Sequence, residues 1–200
     1  SAAFNILPDQ DRARTYGKAT AMGAFRFADA ATDRYDHPAF GFLKADWFAF
    51  VTARPPLYHE ILSLPGNAAA LEKRLGVNRK ENIEERRIMR AAVANSGVSL
   101  ANRLVERHDA KYGAYWISYD FIENLGTQDL FSHPLGPYGS VFTAFRHDAG
   151  EIIFNLPNGF QAYLLATDEG FRVDTAPQDI VQDSSHPFDS TVINGASCIA

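Results

Sequence analysis

The sequence predicts an α+β fold, with N-terminal helices packed on a C-terminal antiparallel β meander. Three observations lead there. Capped segments of helical period lie between Asn67 and Gly97, and alternating apolar strands divided by turn residues follow them. Helices precede strands without the βαβ alternation that marks a parallel α/β sheet. The chain has 200 residues, 46% hydrophobic and 12% aromatic, enough for one sizeable core. We expect a single domain: a helical part over about 1–95, a β-rich part over about 96–175, and an irregular tail over 176–200 leading to a truncated haem motif.

The elements are justified in order. After Pro8, DQDRARTYGKATAMGAF puts acids first and bases later, which suits the dipole of a short helix, although Gly17 and Gly23 weaken it. FGFLKADWFAFV, residues 40–51, is dense in aromatic and bulky apolar side chains and reads as a buried strand or short core segment, ended by Arg54-Pro55-Pro56. LYHEILSL supplies one or two helical turns. Asn67 caps a helix with Ala68, Leu71 and Leu75 on one face, and Gly76 closes it in a left-handed turn. Asn78 with Glu81 resembles a capping box for a second helix, in which Ile88, Met89, Ala92 and Val93 share a face and which ends near Asn95-Ser96-Gly97.

From there the period changes to two. NRLVERHD and AYWISYDFI form a hairpin about Ala110-Lys111-Tyr112-Gly113, stacking Tyr115, Ile117, Tyr119 and Phe121 on one side. The strands VFTAFRH, EIIFNL, GFQAYLLAT and FRVD follow, separated by Asp148-Ala149-Gly150, Pro157-Asn158-Gly159 and Asp168-Glu169-Gly170, each chemically suited to a tight turn. Trp116, Ile153 and Leu164 are expected in the β core, and Gly159 at a left-handed turn position.

Composition narrows the function. A net charge of −5 gives no general attraction for nucleic acid, and no run approaches the roughly 20 apolar residues of a membrane span. A single cysteine excludes an internal disulfide framework. Gly-x-Ser-x-Gly, His-Glu-x-x-His and phosphate-binding glycine loops are absent from the sequence. His108-Asp109 and His147-Asp148 place a carboxylate beside an imidazole, but adjacent strand residues point to opposite faces, so neither pair is a dyad by spacing. His133 precedes Pro134 and His59 follows Pro-Pro-Leu-Tyr, and both read as loop anchors. Convergence of His59, His108, His133 and His147 would instead make a catalytic or metal site.

The chain closes on NGASCIA, in which Cys198-Ile199-Ala200 matches the first three letters of a Cys-x-x-Cys-His haem attachment site. We expect the sequence to be cut inside such a site. The phrases DWFAFVTARPPLYHEILSLP, SGVSLANRLVERHDAKYGAYWISYDF, FSHPLGP, HDAGEIIFNLPNGFQAYLLATDEGFRVDTAPQDIVQD and NGASCIA together resemble a family of bacterial envelope proteins classed as c-type cytochromes. The resemblance runs from about residue 40 to the end.

It implies haem c in the full-length protein, with Cys198 as the first haem-bearing cysteine and the motif incomplete here. It also implies a periplasmic or cell-surface location, and a redox partner protein or a following cytochrome segment as the partner. The expected function is a haem-adjacent domain in electron transfer, with Met22, Met89 and the histidines all chemically able to be an axial ligand. Two other classes compete with it. One is an enzyme domain, peroxidase- or hydrolase-like, using the four histidines. The other is a carbohydrate- or peptide-binding module with Tyr115, Tyr119 or Tyr163 as its aromatic platform.

Overall fold

The computed structural model describes residues 44–93, 99, 101–134, 136–140, 142–184 and 189–199. The expected helix after Pro8, and Met22 within it, lie outside the described residues. Contacts divide the chain into two units, one up to Ser63 and one from Leu64 onward.

In the first unit, helix α1 (Ala45–Thr52) stands where the sequence suggested a buried strand. It has no buried residue, so residue bulk misled both readings of that segment. Lys44 is extended, Asp46 lies in the first turn, and Thr52 Oγ1 donates to the Phe48 carbonyl at 2.7 Å, closing the last turn. Helix α2 (Leu57–Ile61) is the short helix expected of LYHEILSL.

The second unit is built on a six-stranded sheet in the order β1-β2-β3-β4-β5-β6, every neighbour antiparallel. Its strands are β1 (Ile88–Val93), β2 (Arg103–Ala110), β3 (Gly113–Asp120), β4 (Ala149–Asn155), β5 (Gln161–Thr167) and β6 (Arg172–Val173). Among the described residues a sheet-dominated architecture with short helices therefore stands in place of the expected helical half packed on a meander. Helix α3 (Ala68–Leu75) has the caps read from sequence: Asn67 accepts from the Ala70 N–H at 2.8 Å, and Gly76 adopts φ 70°. Helix α4 (Arg79–Glu84) is capped by Asn78 as expected but ends well before the expected Asn95. Arg86 takes φ 56°, its N–H donates to the Ile83 carbonyl, and the Arg87 N–H donates to the Asn82 carbonyl, a Schellman closure without glycine. The chain then runs straight into β1. Ile88, Arg90 and Ala92 point to one face because they pair with His108, Glu106 and Leu104.

The β2–β3 hairpin turns through Lys111-Tyr112, with Gly113 at φ 133°. A Cβ on Gly113 would meet Asn155 Oδ1 at 2.8 Å, the atom that already accepts the Ala114 N–H. The β4–β5 turn has Gly159 at φ 84°, as expected. Residues 142–147, the described part of VFTAFRH, are not a strand: Ser140 and Thr143 close a turn, with the Ala144 N–H on the Ser140 carbonyl at 2.8 Å, and Phe142 is 86% exposed. Residues 121–148 form a long connection instead. Buried Asn102 anchors it through the Leu130 N–H and through Asn124.

One sheet face carries Leu104, Glu106, His108, Tyr115, Ile117, Tyr119, Ile152, Phe154 and Leu164, all buried. The other carries Trp116 and Ile153, a cross-strand pair that is only half-buried. Of the three residues expected in the core, Leu164 is there; the other two fall on the opposite side of the pleat. In the segment expected as an irregular tail, Ala176, Ile180, Val181 and Val192 pack over Ala149 and Leu165 on that second face. The cluster is tied down by the Ala176 N–H on the Val192 carbonyl at 2.9 Å.

Candidate functional site

Charged side chains are buried on the inner face, where the alternation of β2 sends Glu106 and His108 to the same side as Leu104. Glu106 is fully buried and accepts from three neighbours. Tyr119 Oη donates at 2.9 Å, Arg90 Nε at 2.8 Å, and His108 Nε2 lies 3.3 Å away. Burial opposes charge on Glu106, but His108, Arg90 and Tyr119 together hold its carboxyl below the ordinary range. His108 Nδ1 is 3.3 Å from Asn82 Nδ2 of α4, which fixes the imidazole from its other side.

A second carboxylate enters from α3. Glu72 Oε1 accepts from Tyr115 Oη at 2.8 Å and lies 2.8 Å from Arg79 Nε. Arg79 Nη1 donates to Tyr119 Oη at 3.0 Å, so this tyrosine joins the two carboxylate clusters. Burial works against the Arg79 cation, yet Tyr119, Glu72 and Tyr115 favour it and raise its pKa overall. The Tyr115 and Tyr119 phenols are pushed well up, first by burial and then by Glu72 and Glu106 respectively. Two carboxylates and two guanidiniums thus sit in one interlocked set.

Beside this set lies a cavity of about 270 Å³. Arg79, Tyr138 and His147 contribute polar groups to its wall; Ile117, Ile152 and Ala166 form an apolar floor; Asp168 and Glu169 stand at the exposed rim. The His147 ring meets Tyr119 edge-on at 5.0 Å between centroids. Burial and the Arg79 charge lower its pKa, with Asp168 pulling the other way.

Within the second unit His108, His133 and His147 have different surroundings, and His59 belongs to the first unit. His108 belongs to the sealed network, and its carboxylate partner is Glu106 two residues back, not Asp109, which points outward with its side chain 84% exposed. The signal was in the sequence: Leu-x-Glu-x-His keeps three residues on one face of a strand. His147 lines the cavity, while Asp148 turns to the Ile122 N–H and Gln128 Nε2. His133 is a loop anchor, its Nδ1 3.2 Å from the Asp129 carbonyl. His59 is buried in the first unit, edge-on to Tyr58. Arg79, Glu72 and Tyr138 escaped sequence reasoning, because their convergence depends on how α3, α4 and the long connection meet the sheet.

Tyr115 and Tyr119 are fully buried and offer no platform, and Tyr163 lies half-buried on the second face. Cys198 sits on the short helix α5 (Ala196–Ile199). Burial and neighbouring Glu151 push its thiol pKa up, and the Cys198 charge in turn helps raise Tyr163, placing the thiol beside β4 and β5. Among the described residues no group of three or more His, Cys, Asp or Glu is placed to hold a metal, and no helix is long and apolar enough to cross a membrane. No family model matches the chain, and no curated protein or solved structure matches it.

Proposed function

We propose that this chain is the haem-adjacent domain of a c-type cytochrome-like envelope protein, acting in electron transfer on the periplasmic or cell-surface side. The observation that supports this most directly is the way the NGASC phrase is built into the fold. Asn194 is fully buried; its backbone N–H donates to the Asp174 carbonyl at 2.8 Å and its Nδ2 to the Val173 carbonyl at 3.2 Å. Ser197 Oγ accepts the Ile193 N–H at 3.0 Å, and Ile193 bridges to Thr175. The cysteine is thereby held at a defined place beside the sheet.

Haem supplies one-electron transfer when bound. Its attachment calls for two thioether sulfurs and an iron-ligating histidine. Cys198 fits one of these three roles. Burial and neighbouring Glu151 push its thiol pKa up, which limits the thiolate. The half-buried ladder Trp116, Ile153 and Tyr163 lies on the same sheet face as Glu151, and Tyr163 feels the Cys198 charge.

The test is expression of the gene together with the coding sequence that follows Ala200, exported in cells that carry cytochrome maturation machinery. The reading requires a cysteine and a histidine immediately after Ala200. The purified product should be red and keep haem through denaturing electrophoresis, and Cys198→Ser should attach haem poorly. A colourless, haem-free product that is folded by circular dichroism overturns the proposal.

A further inference from the structure

We infer that the outer edge of β1 is a self-association surface, on which the same strand of a second copy of this chain pairs antiparallel to make one continuous sheet. The inference stands apart from the haem reading and rests on the sheet alone.

The two edges of the sheet differ. Beside β6 the chain closes its own edge: the Arg172 N–H donates to the Gly66 carbonyl at 3.0 Å, and Asn67 bridges to Phe171. At the other end β1 is the last strand, and among the described residues β2 is its one partner.

The register shows which backbone groups this leaves open. Lys111-Tyr112 is a two-residue turn, so Ala110 and Gly113 exchange both their hydrogen bonds, and every second residue before Ala110 does the same with β3. The Ala114 N–H, which this alternation turns away from β2, accordingly donates to Asn155 Oδ1. Arg103, Val105 and Arg107 therefore aim their backbone groups at β1, where they meet Val93, Ala91 and Met89. Ile88, Arg90 and Ala92 are left with N–H and C=O groups directed off the sheet, and no backbone group of a described residue bonds to them there.

Such an edge is a template for another strand unless something blunts it. β1 lacks the usual guards. Its pairing with β2 runs from Ile88 to Val93 without a bulge, and it contains no proline. Its one charge, Arg90, is turned back onto Glu106 and the Pro134 carbonyl. Met89 is 67% exposed, and Ala91 and Ala92 are exposed beside it.

Charge and symmetry select the partner and the register. Residues opposed in an antiparallel pair keep their side chains on one face, so two identical strands meet about a two-fold axis that passes through a residue paired with itself. An axis at Met89 or Ala92 leaves fewer residues overlapping. An axis at Arg90 sets two guanidinium side chains directly opposite each other, which is unfavourable. An axis at Ala91 opposes two small side chains, Met89 to Val93 of the second copy on one face, and Arg90 to Ala92 on the other. Arg90 and Ala92 are the residues with open backbone groups, so both of those pairs exchange their hydrogen bonds and no like charges are opposed. Arg87, four residues from the axis, stands roughly 27 Å from its counterpart. The contact is small for a specific interface, so association depends on concentration.

Sedimentation velocity of the purified chain, from micromolar concentration up to about 1 mM, tests the inference. The mass should rise from one copy to two. Ala91→Lys, at an exposed position, opposes two ammonium groups across the axis and should weaken association roughly tenfold or more, with the circular dichroism and melting temperature of the single copy kept. Ala92→Pro removes an N–H directed off the sheet and should act in the same way. Disulfide trapping in a Cys198→Ser background reads the register. Ala91→Cys should cross-link on oxidation, because the Cα atoms of a non-hydrogen-bonded pair lie about 4.5 Å apart; Met89→Cys, which faces Val93, should not. Three results each overturn the inference: a chain that stays single at every concentration, which leaves the edge to a strand of a different protein; an Ala91→Lys protein that associates like the parent; or Met89→Cys cross-linking as readily as Ala91→Cys.

Discussion

Replacing Tyr119 by Phe removes one oxygen and leaves the ring, so it isolates the hydrogen bonds that tie Glu106 to Arg79. The hydroxyl donates to Glu106 Oε2 at 2.9 Å and accepts from Arg79 Nη1 at 3.0 Å, and the residue is fully buried. Hydrogen bonds to charged groups contribute about 1.5–3 kcal/mol each. The two losses are not additive, because Arg79 keeps Glu72 and Glu106 keeps Arg90; a total of about 2–4 kcal/mol is expected. With a urea dependence of about 2 kcal/mol per molar, the midpoint should fall by roughly 1–2 M at neutral pH.

The pH dependence sharpens this prediction. The folded Glu106 carboxyl lies below its ordinary value. Its contribution to stability is therefore fully present above the unfolded pKa of about 4.3 and is lost as pH falls through the folded value. Phe at 119 removes one donor that holds the carboxylate charged. The gap between parent and variant should consequently narrow as the pH falls from about 4.3 through the lowered folded value, below which Glu106 is neutral in both proteins. Urea melts followed by tryptophan fluorescence at several pH values measure it. Equal midpoints at neutral pH, or a gap that stays constant into acid, would show that the network does not carry the energy assigned to it.

The remaining predictions probe the sheet and its phenols. Leu164→Ala, at a fully buried position, should cost about 2–5 kcal/mol, and Ile153→Ala on the half-buried face should cost clearly less; equal urea midpoints for the two variants would contradict the assignment of faces. Gly159→Val places a β-branched residue at φ 84° and should lower stability by about 1–2 kcal/mol through backbone strain alone, since open space surrounds the site; thermal melting unchanged from the parent would refute it. Tyr115 and Tyr119 have raised folded pKa values, so their contribution is intact below the unfolded value of about 10 and is lost as pH rises beyond it. Alkaline urea melts should show stability falling above that point, and Tyr119→Phe should make the fall shallower.

Local chemistry accounts for what could be read directly from the residues. The caps at Asn67, Gly76 and Asn78, the turn at Gly159, and the side of β3 that carries Tyr115, Ile117, Tyr119 and Phe121 each depend on a few neighbouring residues, and each lies where the sequence put it. The errors fall where long-range pairing overrides local preference. IMRAAV continues a helical period on paper, but Arg86 turns left-handed and the segment pairs with β2, where Arg90 reaches Glu106 across the strands. ADWFAFVT has the bulk of a buried strand and forms an exposed helix. Trp116 and Ile153 differ from Tyr115 and Ile152 by one step along the pleat, and composition cannot say which face the rest of the chain will cover.

The candidate site divides in the same way. Glu106 and His108 on one face of β2 follow from a period of two. Arg79 against Glu72, Tyr119 and the His147 cavity joins residues as many as 75 positions apart in the chain, and no local pattern encodes that meeting. It is decided when α3 is pinned by the Ala68 N–H on the Gly170 carbonyl and by the Lys111 N–H on the Leu75 carbonyl. Those bonds lay the helix across the sheet, and with it the charges that had to find partners once they were removed from water.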